Sequence, residues 1–116
     1  MKDERLYLHH MLDAADKIEQ YIRDGSYEEF MKKRLLYDGM MMELAVIGEM
    51  SVSVSEDMQK KITALPWEQM RGLRNRIVHE YHGLDDKALW QVCTEDLPVL
   101  QESLRAFFKK YGSLDS

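Results

Sequence analysis

Apolar residues recur at intervals of three and four along almost the whole chain, and this period is that of a buried helical stripe, not of alternating strands. Near the start the stripe is Leu8, Met11, Leu12, Ala15, Ile18 and Ile22; near the end it is Leu89, Cys93, Leu97, Leu100, Leu104, Phe107 and Tyr111. The spacing predicts an all-α protein, a four- to five-helix up-and-down bundle. With 116 residues there is material for one hydrophobic core, so a single domain over 1–116 is expected.

Local signals divide the chain. A first helix over Asp3 to Arg23 is closed by Asp24, Gly25 and Ser26. Ser26 and Glu29 have the spacing of a capping box, which opens a second helix that runs on to Ser51. Gly48 disfavours that helix by about 1 kcal/mol against Ala, so it reads as a point where another helix comes close. The stretch from Ser51 to Pro66 is expected to hold a helix end and a partial helix near Ser55. Pro66 can open a third helix whose core positions are Trp67, Met70, Leu73 and Ile77. Gly83 ends it and Asp85 caps the next. Pro98 has no N–H for the Thr94 carbonyl, so the last segment should kink or divide near Asp96, and Gly112 should terminate it.

A formal net charge of −5 argues against a basic surface that coats nucleic acid. No apolar run reaches the roughly 20 residues that cross a bilayer, and Met1 to Arg5 lack a leader's apolar stretch, so the cytoplasm is the expected location. Cys93 is the only cysteine, which excludes an intrachain disulfide and a thiolate zinc site. His79 and His82 stand at i and i+3 beside Glu80, but no second ligand-rich segment accompanies them, and neither metal nor cofactor is expected. Met40, Met41 and Met42 read as adaptable core or dimer surface, Trp67 and Trp90 as core, and His9 and His10 as exposed or partly packed.

One segment concentrates reactive side chains: Arg71, Arg74, Asn75, Arg76, His79, Glu80, Tyr81 and His82. Cutting RNA without a metal takes a base for the ribose 2′-hydroxyl, an acid for the leaving oxygen and positive charge on the phosphorane-like transition state. An imidazole, which ordinarily titrates at about 6.5, and a guanidinium suit those roles. On an ideal helix Asn75 and His79 share a face, whereas Arg74 and His79 are about 140° apart. Either the Arg74 side chain reaches around, or the helix ends near His79, or two copies of the chain share the site. On residue types alone, three arginines on a helix are more often a solvated face, and a lone histidine is more often structural.

The run Arg71-Gly72-Leu73-Arg74-Asn75-Arg76-Ile77-Val78-His79-Glu80-Tyr81, preceded by Pro66 and Trp67, resembles the HepT family of HEPN proteins. Ile47-Gly48-Glu49, Leu84-Asp85, Leu89-Trp90 and Asp96-Leu97-Pro98 extend the similarity over nearly the whole chain. The family signature is an arginine, a polar residue beside it and a histidine after four to six more, matched by Arg74, Asn75 and His79; Tyr81 completes the longer form. The resemblance implies a metal-independent endoribonuclease toxin of a type VII HepT/MntA toxin-antitoxin pair, a homodimer with both motifs at a shared cleft, in which higher hetero-oligomers with the antitoxin can form. It implies that His79 is the general base or acid, that Arg74 holds the scissile phosphate, that Asn75 orients one of them, and that Arg71 and Arg76 add phosphate contacts. It also implies that an MntA-like nucleotidyltransferase antitoxin modifies Tyr81 with AMP. Competing readings are a non-catalytic nucleotide- or partner-binding subunit of a two-component nucleotidyltransferase, and a purely structural helical dimer.

Overall fold

A computed structural model describes residues 3–23, 25–80 and 83–113, and every regular element among them is helical. Four long helices make the bundle: α1 (Arg5–Ile22), α3 (Arg34–Ser53), α5 (Trp67–Glu80) and α7 (Leu97–Tyr111). Three short ones, α2 (Tyr27–Met31), α4 (Glu56–Lys61) and α6 (Asp86–Gln91), join them. Helix α1 packs on α3 and α7, and α3 packs on α5 as well, so α3 is buried from two sides. No helix among the described residues is long and apolar enough to cross a membrane.

The expected stripes form the core except at their ends, where Ile22 is half-buried and Tyr111 is exposed. Leu8, Met11, Ile18, Leu44, Ile47 and Leu104 are almost wholly inaccessible, and each such side chain stabilises the fold by about 1.5–3 kcal/mol. Cys93 and Trp67 join them, and the Trp67 indole N–H donates to the Ile62 carbonyl at 2.9 Å. Ser51 is fully buried on α3, and its hydroxyl donates to the Ile47 carbonyl at 2.6 Å. Met42, by contrast, is largely exposed while Met40 and Met41 are buried, so only two of the three methionines are core.

The single second helix expected from Ser26 to Ser51 is in fact two, broken at Lys32 and Lys33. Lys32, Lys33 and Arg34 place three adjacent cations where the N-terminal dipole of α3 would favour anions. The break also frees α2 to set Phe30 and Tyr27 against Trp90, with ring centroids at 5.4 and 6.0 Å. Ser26 caps α2 as anticipated, its Oγ accepting from the Glu29 N–H at 3.2 Å. Ser55 caps α4 through the Met58 N–H at 3.2 Å, and its own N–H and hydroxyl donate to Glu4 at 2.6 and 2.8 Å.

Asp85 caps α6, accepting from the Lys87 and Ala88 N–H groups at 3.1 and 3.2 Å. The Tyr37 hydroxyl donates to Asp86 at 2.6 Å and ties α6 to α3. The division expected ahead of Pro98 is a π-helical turn, Val92–Asp96, between α6 and α7. Gly112 ends α7 with φ +88°, a conformation that costs glycine little, and its N–H donates to the Phe108 carbonyl at 2.8 Å.

Candidate functional site on α5

Helix α5 begins directly after Pro66, whose carbonyl accepts from the Met70 N–H at 3.0 Å, and Glu68 in its first turn complements the helix dipole. Trp67, Met70, Leu73 and Ile77 anchor its inner face. Arg74, Asn75, Arg76, Val78 and His79 are all exposed, with Arg71 and Gly72 half-buried. The candidate side chains therefore stand on a helix whose opposite face is held by the core, which is how a short segment can present a fixed array to solvent.

The closest approach to α3 is at Gly48. A Cβ there would lie 2.6 Å from the Arg74 backbone nitrogen and 3.2 Å from the Arg74 and Leu73 Cβ atoms. The close passage read from Gly48 is thus real, and the residue it seats is Arg74.

Beside that contact Arg74 Nε pairs with Glu49 at 3.3 Å, and Nη1 donates to Asn75 Oδ1 at 3.2 Å. Arg71 Nη1 donates to Gln59 Oε1 of α4 at 2.9 Å. His79 lies in the last turn of α5, one turn beyond Asn75 and only about 40° from it around the axis. Of the three arrangements open to the sequence, α5 does end near His79, with Glu80 its last residue, and the Arg74 head group leans toward its Asn75 neighbour. Arg76 sits about 60° past His79 on the far flank. Tyr81 and His82 fall outside the described residues, as does the Glu80 side chain.

Two residues entered the site without having been singled out for it, Glu49 and Gln59. Glu49 had a partial signal: it follows the close-approach glycine, and although it points about 100° away its long side chain can reach the helix that comes close. Gln59 had none, because the turn that brings α4 to Arg71 has no sequence period.

Cys93 offers no rival nucleophile, since burial pushes its thiol up to about 12 and the thiolate is scarce at neutral pH. No group of three or more His, Cys, Asp and Glu side chains gathers for a metal among the described residues. Arg74, Asn75 and His79 each face solvent, and of the three Arg74 and Asn75 touch; a guanidinium, an amide and an imidazole can bind an anion and move a proton.

Residues 11–107 match the family described as ribonuclease HepT-like. A Methanocaldococcus jannaschii protein named "Putative RNase" is 30% identical over 103 residues, covering 89% of this chain and 94% of its own. A Thermococcus cleftensis protein named "Probable ribonuclease HepT" is 30% identical over 95 residues, covering 82% and 86%. A "Putative RNase" of Caldanaerobacter subterraneus is 26% identical over 110 residues, 95% of this chain and 98% of that one. No solved structure gives a significant match. With the matched span reaching from the middle of α1 to the end of the core stripe on α7, and with α5 inside it, the chain belongs to the ribonuclease HepT-like family.

Proposed function

We propose that this member of a ribonuclease family is a metal-independent endoribonuclease toxin that works as a homodimer, with Arg74, Asn75 and His79 as its catalytic group. The observation that carries the reading is the exposure of these three side chains on one helix, with Arg74 already held at Nε by Glu49 and at Nη1 by Asn75. That hold leaves Nη2 to meet a phosphate oxygen.

In the reaction a histidine takes the ribose 2′-hydroxyl proton, the 2′-oxygen attacks phosphorus, and the 5′-oxygen leaves with a proton supplied by an acid. The guanidinium stabilises the extra negative charge of the phosphorane-like transition state. Arg71 and Arg76 flank the group and extend the cationic track for the RNA backbone. A two-fold axis beside α5 would double these charges locally although the chain as a whole carries −5.

The test is cleavage of single-stranded RNA in EDTA by the parent chain, against Arg74→Ala and His79→Ala. Loss in both variants is the expected result. Cutting that persists in both removes the site, and binding of nucleotide without any cutting would transfer the chain to the role of a binding subunit.

Glu49 is a positioning residue in this scheme. Both partners of its ion pair are about half exposed, so Glu49→Ala should change stability by less than about 1 kcal/mol. It should nevertheless lower kcat severalfold, with a smaller change in KM, because Arg74 then enters the transition state less well aimed. An unchanged kcat would show that Glu49 is only a surface partner.

Regulation by an MntA-like nucleotidyltransferase would act at Tyr81, two residues past His79 in sequence. AMP added there brings bulk and negative charge to a phosphate-binding face, and both oppose RNA. Mass spectrometry of the chain co-expressed with that antitoxin should find one AMP adduct, on Tyr81. An unmodified chain that is nonetheless neutralised would refute this mode of control.

A further inference from the structure

Lys60 and Lys61 stand in the last turn of α4, Lys109 and Lys110 in the last turn of α7, and the two helix ends come together. The Lys61 and Lys110 ammonium groups lie 5.6 and 5.2 Å from the centre of the same Tyr111 ring. A cleft of about 310 Å³ opens between the ends, lined by Lys61, Lys110 and Tyr111 together with Thr63 and Ser103. No described carboxylate lines this cleft, and none pairs with either lysine within 4 Å. The acidic residues of α4, Glu56 and Asp57, occupy its first turn, where they complement the helix dipole.

A lysine in a last turn suits the dipole of its own helix, which accounts for each pair separately. It does not account for two helices that bring an ammonium group each to one ring and one cleft, where like charges repel. The face of the ring attracts a cation but carries no net charge, so Tyr111 positions the two groups without neutralising them. The Thr63 and Ser103 hydroxyls add hydrogen-bond donors. Two cations, two hydroxyls and no carboxylate make a cleft for an anion.

The cleft is also joined to the candidate site. Arg71, on α5 ahead of Arg74, donates to Gln59 of α4 at 2.9 Å, and Lys60 and Lys61 follow Gln59 directly. Gln59 and Lys61 are about 200° apart around α4, so Arg71 meets one flank of that helix and Tyr111 the other. A strand that leaves Arg74 past Arg71 and crosses a helix about 10–12 Å wide reaches the cleft after about three nucleotides, at the ~3.4 Å spacing of stacked bases.

We propose that the cleft between the ends of α4 and α7 is a second phosphate-binding site, which holds the RNA strand about three nucleotides from the phosphate at Arg74. Lys61 and Lys110 contact that second phosphate, and Lys60 and Lys109 raise the potential around it. The inference rests on the ribonuclease reading above and makes the length of the RNA, besides the motif on α5, a determinant of affinity.

The experiment compares two lengths of RNA. Uncleavable 2′-O-methyl oligonucleotides of about four and about fifteen nucleotides are titrated against the full chain by fluorescence anisotropy at several salt concentrations, so that binding is read independently of cutting. Each phosphate contact to a single strand contributes about 0.7 to the slope of log affinity against log salt. Lys61→Ala/Lys110→Ala should lower that slope by about 0.7–1.4 for the longer RNA and weaken its binding roughly fivefold at low salt, while the shorter RNA binds as it does to the parent. Lys61→Arg/Lys110→Arg should restore the binding of the longer RNA. An unchanged slope for the longer RNA, or an equal loss at both lengths, overturns the second site; weaker binding of both lengths by Arg74→Ala then leaves the ribonuclease reading standing. Inorganic phosphate bound by the parent as tightly as the longer RNA, and lost in the double alanine variant, overturns the strand in favour of a small anion. A poly-glutamate peptide bound more tightly than the longer RNA overturns it in favour of an acidic protein partner. Absence of binding to either RNA overturns the cleft and the ribonuclease reading together.

Discussion

His79→Ala should cut RNA a hundredfold to ten-thousandfold more slowly than the parent chain, the range for loss of a positioned general acid or base. At 1.36 kcal/mol per decade, that loss corresponds to about 2.7–5.4 kcal/mol of transition-state stabilisation. The change should not reach the fold: His79 is exposed at the end of α5, and such substitutions stay within about 0.5 kcal/mol of the parent in stability. Unfolding midpoints measured beside the rates separate the two effects. The same variant also asks which copy supplies which group. If the Arg74 of one copy works with the His79 of its two-fold mate, mixing Arg74→Ala with His79→Ala rebuilds one intact site in each mixed dimer. About half of the dimers are mixed and each has one of two sites restored, so about a quarter of the parent activity returns. No recovery after exchange of subunits would place both groups within one chain, on the side to which Asn75 already draws the Arg74 head group.

Much of this geometry was legible in the chain because it follows from period and from local chemistry. The stripes are buried from Leu8 to Ile18 and from Leu89 to Phe107, with the expected outer members Ile22 and Tyr111 left half-buried and exposed; Ser26, Asp85 and Pro98 act where their side chains or ring dictate, and Gly112 where the lack of a Cβ allows a positive φ. The break between α2 and α3 was masked because Phe30 and Tyr37 keep a helical seven-residue spacing across it, although Lys33 and Arg34 stand at the positions between. What decides it is the packing of Phe30 on Trp90, a contact between residues sixty apart that no local window contains. The candidate site divided in the same way. Arg74, Asn75 and His79 stand out by type and spacing, while the ties from Glu49 and Gln59 depend on how α3 and α4 lie against α5. The π turn was legible as an interruption ahead of Pro98 but not as a widened helical turn, which no sequence period marks.

Gly48→Val should be the most damaging single change to the fold itself. The clash is with backbone: an added Cβ would stand 2.6 Å from the Arg74 nitrogen, and no rotamer change can relieve that. Helix α5 must move away from α3, loosening the contacts of Leu73 and Ile77, and overpacking of this kind costs about 1–3 kcal/mol even before the β-branch is counted. Against it, replacing glycine inside a helix returns at most about 1 kcal/mol of propensity, so Gly48→Ala should be destabilising by roughly 1–2 kcal/mol and Gly48→Val by more. For a chain of this length, each kcal/mol lowers the melting temperature by about 4 °C. Gly72→Ala is the internal control, because a Cβ at that position on α5 meets nothing within 4 Å; it should leave the chain as stable or raise it by up to about 1 kcal/mol. The displacement also moves Arg74 relative to Glu49 and to whatever phosphate it holds. Gly48→Ala should therefore lose activity at temperatures where it is still fully folded, which Gly72→Ala should not. Equal melting temperatures for the parent and Gly48→Ala would mean that α3 and α5 lie farther apart than this contact allows, and the fixed seat of Arg74 would go with them.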